Sequence, residues 1–234
     1  MGNRRKPLSH YLRVLRQGDL RLLDLASGRD EVIPIELASD FDHQREKWIK
    51  KPLDYLTTAH LSTNGDRVVL TARGQVFVAP VGPGRLVEVT RRPDVRYRNA
   101  RFLPDGNEVL ALSDETREVE FVRLPANGVG ASQLLTTNGT VLRWDGLPSP
   151  NGRWIAWSDK DLKLWVLNVT NRETRFLTES PRGNFGDLAW SPDSQFLAFS
   201  LGNANGIRSL HAWGGVDAKL HRLTGDLFSV TEPV

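Results

Sequence analysis

Leu103-Pro104-Asp105-Gly106, followed by the apolar run Val109-Leu110-Ala111-Leu112, sets a pattern that this chain repeats. Ser62-Thr63-Asn64-Gly65 precedes Val68-Val69-Leu70, and Ser149-Pro150-Asn151-Gly152 precedes Trp154-Ile155-Ala156-Trp157. Ser191-Pro192-Asp193-Ser194 precedes Phe196-Leu197-Ala198-Phe199. The fourth turn positions stand 41, 46 and 42 residues apart. Each turn has a mechanism. Pro presets φ at the second position, Asn or Asp bonds its own backbone, and Gly supplies the left-handed conformation that follows. Asn64-Gly65 keeps this chemistry without Pro, whereas Ser194 in place of Gly is expected to weaken the last turn. A second marker runs in the same phase: Val89-Thr90, Leu135-Thr136, Leu177-Thr178 and Leu223-Thr224.

Between the markers each unit carries one more strand-like stretch, at Gln75 to Val81, Val119 to Leu124, Leu162 to Val169 and Ile207 to Trp213. About four short strands at this period make a propeller blade, which buries both faces only when stacked between neighbours. The expected class is all-β: a β-propeller with about four four-stranded blades, at roughly 57–97, 98–140, 141–182 and 183–234. Trp144, Trp154, Trp157, Trp165, Trp190 and Trp213 read as packing between blades. Leu201 to Trp213 lacks the clean strand spacing of the other units.

Ahead of the blades, Asp19 to Gly28 reads as a strand and hairpin turn, followed by a strand at Val32 to Ile35. Residues 1–37 are thus expected to be a basic tail and the last strands of a preceding propeller. Residues 38–56 read as a linker, with a short polar helix from His43 to Lys50 ended before Pro52. No segment evidently closes a ring, so the chain reads as a piece of a larger arc. The alternative is a four-bladed ring with residues 1–39 supplying a closing strand. An open arc leaves apolar faces and strand edges uncovered, and self-association is the expected consequence.

Composition removes several function classes. There is no Cys among the 234 residues, hence no disulfide scaffold, thiol nucleophile or thiolate metal site. No apolar run is long enough to span a bilayer, so no membrane insertion is expected. The N-terminal Arg4-Arg5-Lys6 resembles the start of a leader, but no apolar stretch and cleavage site complete it. Cytoplasm and periplasm both remain open. Lys and Arg number 31 against 28 Asp and Glu, a net charge of +3 too small and dispersed for a nucleic-acid partner.

Catalytic signatures are missing too. No Gly-x-Ser-x-Gly elbow or His-Glu-x-x-His pair occurs among the residues, and no cofactor is expected. His43 beside Asp42 reads as a linker or capping residue, and His211 and His221 as inter-strand packing rather than a metal site. Asp159 and Asp161 fit turn chemistry, and Gly128-Val129-Gly130 a blade loop. The densest basic cluster is Arg91, Arg92, Arg96, Arg98 and Arg101, in a blade connection and the strand after it. Such connections can line a propeller's mouth, where guanidinium groups suit acidic peptide segments or a terminal carboxylate. The plainer reading is a solvated rim balanced by Asp94 and Asp105.

From Leu20 through Asp226 the chain resembles the propeller region of tricorn-type proteases, especially the bacterial tricorn-like family. The resemblance is carried by Asp19-Leu20-Arg21-Leu22-Leu23-Asp24-Leu25, Ile35-Glu36-Leu37-Ala38-Ser39-Asp40-Phe41 and Arg45-Glu46-Lys47-Trp48-Ile49-Lys50-Lys51-Pro52. It continues in Thr71-Ala72-Arg73-Gly74-Gln75-Val76-Phe77 and in Val95-Arg96-Tyr97-Arg98 before the Phe102-to-Gly106 turn. The blade turns alone are shared with TolB-like and WD40-like repeats. In the tricorn family a six-bladed propeller precedes a seven-bladed one, and serine peptidase domains follow. The resemblance therefore implies the end of the first propeller and about four blades of the second. It carries over no catalytic residue. The implied role is non-catalytic: gating or guiding peptide or unfolded polypeptide towards a protease domain outside this chain, within a self-assembling parent. The implied partners are that polypeptide, the remaining blades and the protease domain. The alternative is a stand-alone TolB-like propeller acting as a protein- or peptide-binding scaffold.

Overall fold

In a computed structural model of the chain, residues 11–16, 19–36, 38 and 48–233 are described. They divide into two units, one ending at Lys50 and one beginning at Lys51. The first holds a three-stranded antiparallel sheet of β1 (Tyr11–Arg16), β2 (Asp19–Asp24) and β3 (Asp30–Val32) in that order. Its second turn follows from local chemistry: Asp24 Oδ1 accepts the amides of Ala26 and Ser27 at 2.9 and 3.0 Å. Gly28 then takes φ +69°, a conformation that favours glycine. Within the stretch read as basic tail, Tyr11 to Arg16 forms β1 and pairs residue for residue with β2. The expected helix at His43 to Lys50 falls mostly outside the described residues.

The second unit opens with a 3₁₀ turn at Pro52–Tyr55 and then builds four antiparallel sheets, each from four consecutive strands. The first blade is β4 (Leu56–Leu61), β5 (Arg67–Ala72), β6 (Gln75–Pro80) and β7 (Val87–Glu88). The second is β8 (Tyr97–Phe102), β9 (Glu108–Ser113), β10 (Glu120–Pro125) and β11 (Gln133–Leu134). The third is β12 (Leu147–Pro148), β13 (Trp154–Ser158), β14 (Lys163–Asn168) and β15 (Thr174–Glu179). The fourth is β16 (Gly186–Trp190), β17 (Phe196–Gly202), β18 (Arg208–Gly214) and β19 (Leu220–Arg222). None of the sheets closes into a barrel. The region from Leu201 to Trp213, which lacked clean spacing in the sequence, forms a regular hairpin of two seven-residue strands. Gly202 and Gly214 end those strands. Among the described residues no helix is long and apolar enough to cross a membrane.

Both repeat markers have structural roles. The four turns join the first two strands of each blade, with φ +72° at Gly65, +68° at Gly106, +70° at Gly152 and +60° at Ser194. Ser194 holds this conformation while its hydroxyl accepts the Asn151 amide of the preceding blade at 3.0 Å. The marker threonines hold the third strand. Thr90, Thr136 and Thr224 accept the backbone N–H of Val76, Phe121 and Leu210 at 2.8, 3.0 and 2.9 Å.

Apolar cores lie between consecutive blades. Val69, Val76, Tyr97 and Val109 join the first two. Leu110, Phe121, Ile155 and Trp157 join the second and third, and Leu164, Phe199 and Trp213 join the third and fourth. Trp154 and Trp190 meet Trp213 edge-on at 5.4 and 6.3 Å. Trp144 departs from the expectation and is 42% exposed, because its neighbour Arg143 takes the interface-facing position. First strands of successive blades lie close together: β4 packs along β8, and Trp190 of β16 donates to the Leu147 carbonyl of β12 at 3.0 Å. They therefore form the inner side of the blades. The up-and-down course of the strands puts the marker turns at one end, and the blade connections with the β5–β6 type of hairpin at the other.

Candidate functional site

The structure divides the five arginines of the basic cluster. Arg91, Arg92 and Arg96 lie exposed on the connection from β7 to β8. Arg92 pairs with Glu115 and reaches Asp94 at 3.4 Å, which uses up its charge locally. The Arg96 backbone N–H donates to Asp114 Oδ1 at 2.7 Å, and its side chain packs over Gly74. Arg98 and Arg101 lie half-buried on β8, and among the described residues neither has a side-chain hydrogen bond or salt bridge. The cluster is thus a partly neutralised rim plus two arginines on an inner strand.

Arg101 belongs to a polar strip that the repeat itself generates. Four residues ahead of the first turn position stand Thr58, Asn99, Asp145 and Asp187, one on the inner side of each blade. Three of the inner strands change register beside this position, between Leu56 and Thr58, Arg98 and Arg101, and Gly186 and Ala189. Asn99 and Asp187 there have φ +53° and +56°. A bulge re-aims a side chain at the expense of local pairing, and short polar residues tolerate the left-handed backbone best. Asn99 donates its amide to Asp145 Oδ1, linking the second and third blades. Two residues after this position stand His60 and Arg101. Burial pushes the Arg101 guanidinium below its ordinary pKa, opposed by the charge of Asp145. His60 is lowered too, first by burial and then by Arg101. Sequence inspection missed this strip because Thr, Asn and Asp are a weak repeat next to Pro-Asp-Gly; counting back from the turns would have found it.

The strip offers amide, carboxylate, guanidinium and imidazole groups along one line, a set suited to the polar backbone and mixed side chains of extended polypeptide. It contains no activated nucleophile, since His60 has a cation rather than a carboxylate for its neighbour. The other titratable candidates are dispersed. His211 stacks on Phe199 and meets the Ser209 hydroxyl at 3.0 Å, while His221 pairs with Asp217 at 3.0 Å. Among the described residues no group of three or more His, Asp or Glu could hold a metal ion. Asp159 accepts the Lys163 amide at 3.0 Å, the turn role expected of it, and also the Trp165 indole N–H at 2.7 Å. His43 lies outside the described residues.

Comparison with known proteins places this geometry. A tricorn-like protease C-terminal subunit of Sulfurisphaera tokodaii is 26% identical over 216 residues, covering 92% of this chain and 23% of its own length. The crystal structure of the tricorn protease superposes with a TM-score of 0.67 at 16% identity, over 90% of this chain and 20% of that one. TolB from Acinetobacter baumannii shares the fold with a TM-score of 0.55 at 18% identity, over 92% of this chain and 50% of its own. The chain therefore spans under a quarter of the tricorn-type proteins it matches. The profile of the tricorn protease second beta propeller domain matches residues 56–234, all four blades, and the chain belongs to that family.

Proposed function

We propose that this propeller binds extended polypeptide along the inner strands and guides it towards a peptidase domain elsewhere in a longer, self-assembling protein. The observation that carries the reading is the polar strip, with Asn99, Asp145, Arg101 and His60 brought together from three consecutive blades. Membership of the tricorn second-propeller family supports a polypeptide partner. In this reading the chain's part is non-catalytic, and the exposed Arg91 and Arg96 act as an outer contact at the end of the blades where polypeptide would first arrive.

The test is fluorescence anisotropy with a labelled, permanently unfolded chain such as reduced, carboxymethylated α-lactalbumin. Binding is expected, and Arg101→Glu should weaken it by about tenfold, equivalent to about 1.4 kcal/mol. Absence of binding, or binding indifferent to Arg101→Glu in a folded variant, would overturn the reading. A TolB-like scaffold that recognises a folded partner would show the first of these outcomes.

A further inference from the structure

A cleft of about 310 Å³ opens between the third blade and the connection that leads into it from the second. Its lining includes Asn138, Thr140, Trp157, Asp161, Trp165 and Thr174. We propose that this cleft is a pocket for an aromatic side chain of a bound peptide. The inference rests on the polypeptide-binding reading and assigns it a side-chain preference.

The first reason is a row of rings that runs from the core to the surface. Buried Phe121 meets Trp157 edge-on at 5.2 Å. Trp157 lies nearly parallel to Trp165, with centroids 6.4 Å apart, and Trp165 meets Phe176 edge-on at 5.4 Å. The row ends in the open: Phe176 on β15 is 47% exposed. Two members of the row, Trp157 and Trp165, line the cleft, and another ring entering it would meet them at the edge-to-face or offset separations that aromatic pairs prefer.

The second reason is charge. The buried Arg143 in the cleft wall is already matched: Nη1 donates to Glu120 Oε2 at 2.7 Å and Nη2 to Asn138 Oδ1 at 2.7 Å. Its guanidinium also lies over Trp157 at 5.6 Å. Both Asp159 oxygens accept N–H groups, from Lys163 and Trp165. Asp161 and Lys163 line the cleft as well, one of each sign. A charged side chain would lose its hydration on entering, and an anionic one would also meet the carboxylates of Asp159 and Asp161. An uncharged ring loses little and gains the indole faces. Asn138 uses its carbonyl oxygen on Arg143, which leaves its amide N–H groups for a peptide carbonyl. Thr140 adds an exposed hydroxyl beside it.

The experiment uses the full chain with 15N-labelled tryptophan indoles, titrated with acetyl-Gly-Gly-X-Gly-Gly-amide, where X is Phe, Leu, Lys or Glu. The Trp165 indole N–H reports the site directly, because it bonds Asp159 in the cleft wall. The Phe peptide should shift that resonance to saturation, and the Lys and Glu peptides should bind at least about tenfold more weakly. Thr140→Arg, on an exposed loop residue, and Thr174→Arg, on an outer strand, should each obstruct the mouth and weaken the Phe peptide about tenfold. Either variant, folded by circular dichroism, suffices. An unmoved Trp165 resonance, equal binding of charged peptides, or full affinity in both variants would overturn the pocket. If the unfolded-chain binding stays sensitive to Arg101→Glu while the pocket fails, only this inference falls. Loss of both would remove the polypeptide reading itself.

Discussion

The junction between the first and second blades and the junction between the second and third have the same design in different chemistry. At the first, Gln75 opens β6, accepts the Thr90 hydroxyl at 2.7 Å, and donates to the Arg92 and Val95 carbonyls at 3.1 and 3.2 Å. At the second, Glu120 opens β10 and accepts the Thr136 hydroxyl at 2.5 Å, the Gly139 amide at 2.5 Å and Arg143 at 2.7 Å. Both side chains tie a third strand to the connection leading into the next blade. The residue six before the turn completes each junction: Tyr97 at the first and Arg143 at the second, 2% and 6% exposed. Phe185 holds the same place before the fourth blade. A neutral amide with an aromatic ring and a buried ion pair thus solve one packing problem. The difference shows that the repeat conserves position and hydrogen-bonding geometry, while charge at the junction is free to vary.

If the two solutions are interchangeable, breaking one half of the charged junction should hurt far more than replacing the whole. Glu120→Ala strands Arg143 in a site where burial already disfavours its charge. The expected loss is about 3–5 kcal/mol in urea unfolding. The double variant Glu120→Gln with Arg143→Tyr installs the neutral chemistry and should recover to within about 1–2 kcal/mol of the parent. A double variant as unstable as Glu120→Ala would mean the pair is built into the second junction for a reason the first lacks. At the neutral junction, Gln75→Ala removes hydrogen bonds without stranding a charge, and about 1–2 kcal/mol is expected.

The marker turns extend the comparison to the other end of the blades. Ser194 sits where the other three blades have Gly, yet the fourth blade forms the same turn. Its hydroxyl bond to the Asn151 amide offsets the backbone conformation that a Cβ disfavours. Ser194→Gly relieves the backbone and loses the bond, so its net change should lie within about 0.5 kcal/mol of zero. Ser194→Ala keeps the strain and loses the bond, and should cost about 1 kcal/mol. Equal stabilities for the two variants would show that the left-handed backbone costs nothing at this position, and a Ser194→Ala variant as stable as the parent would show that the inter-blade bond contributes nothing.

Much of the fold was legible because a blade repeats its turn and its threonine, and both do their work locally. The first turn residues bond within five positions and the threonines reach the neighbouring strand, so each leaves a trace at constant spacing. The junctions left no trace of that kind. Gln75 and Glu120 differ in type, and most of their partners come from the connection leading into the next blade. Arg143 and Trp144 inverted the usual expectation, with the cation inside and the indole half exposed, because strand position outranks hydropathy at that point. β1 was missed because Arg13 and Arg16 give Tyr11–Arg16 the look of a tail. Of the candidate site, only Arg98 and Arg101 were singled out; Asn99, Asp145 and His60 join them through bulges and inter-blade closeness that no local pattern encodes.

The smallest effect expected concerns His60, and it separates the inner strip from the neutralised rim. Burial and the Arg101 charge both favour its neutral form, in that order. Its NMR titration midpoint should therefore fall below the ordinary value of about 6.5. Arg101→Gln should raise the midpoint without restoring it fully, because the larger cause remains, whereas Arg92→Gln on the rim should leave it unchanged. The stability consequence has a definite sign. As pH falls through about 6.5, the unfolded chain takes up a proton before the folded one does, so folding loses stability until the folded histidine also titrates. That decline should shrink in His60→Asn. A midpoint at or above 6.5 would mean that Asp145, and not Arg101, controls the electrostatics around His60, and the strip would then present a net negative face to any polypeptide lying along it.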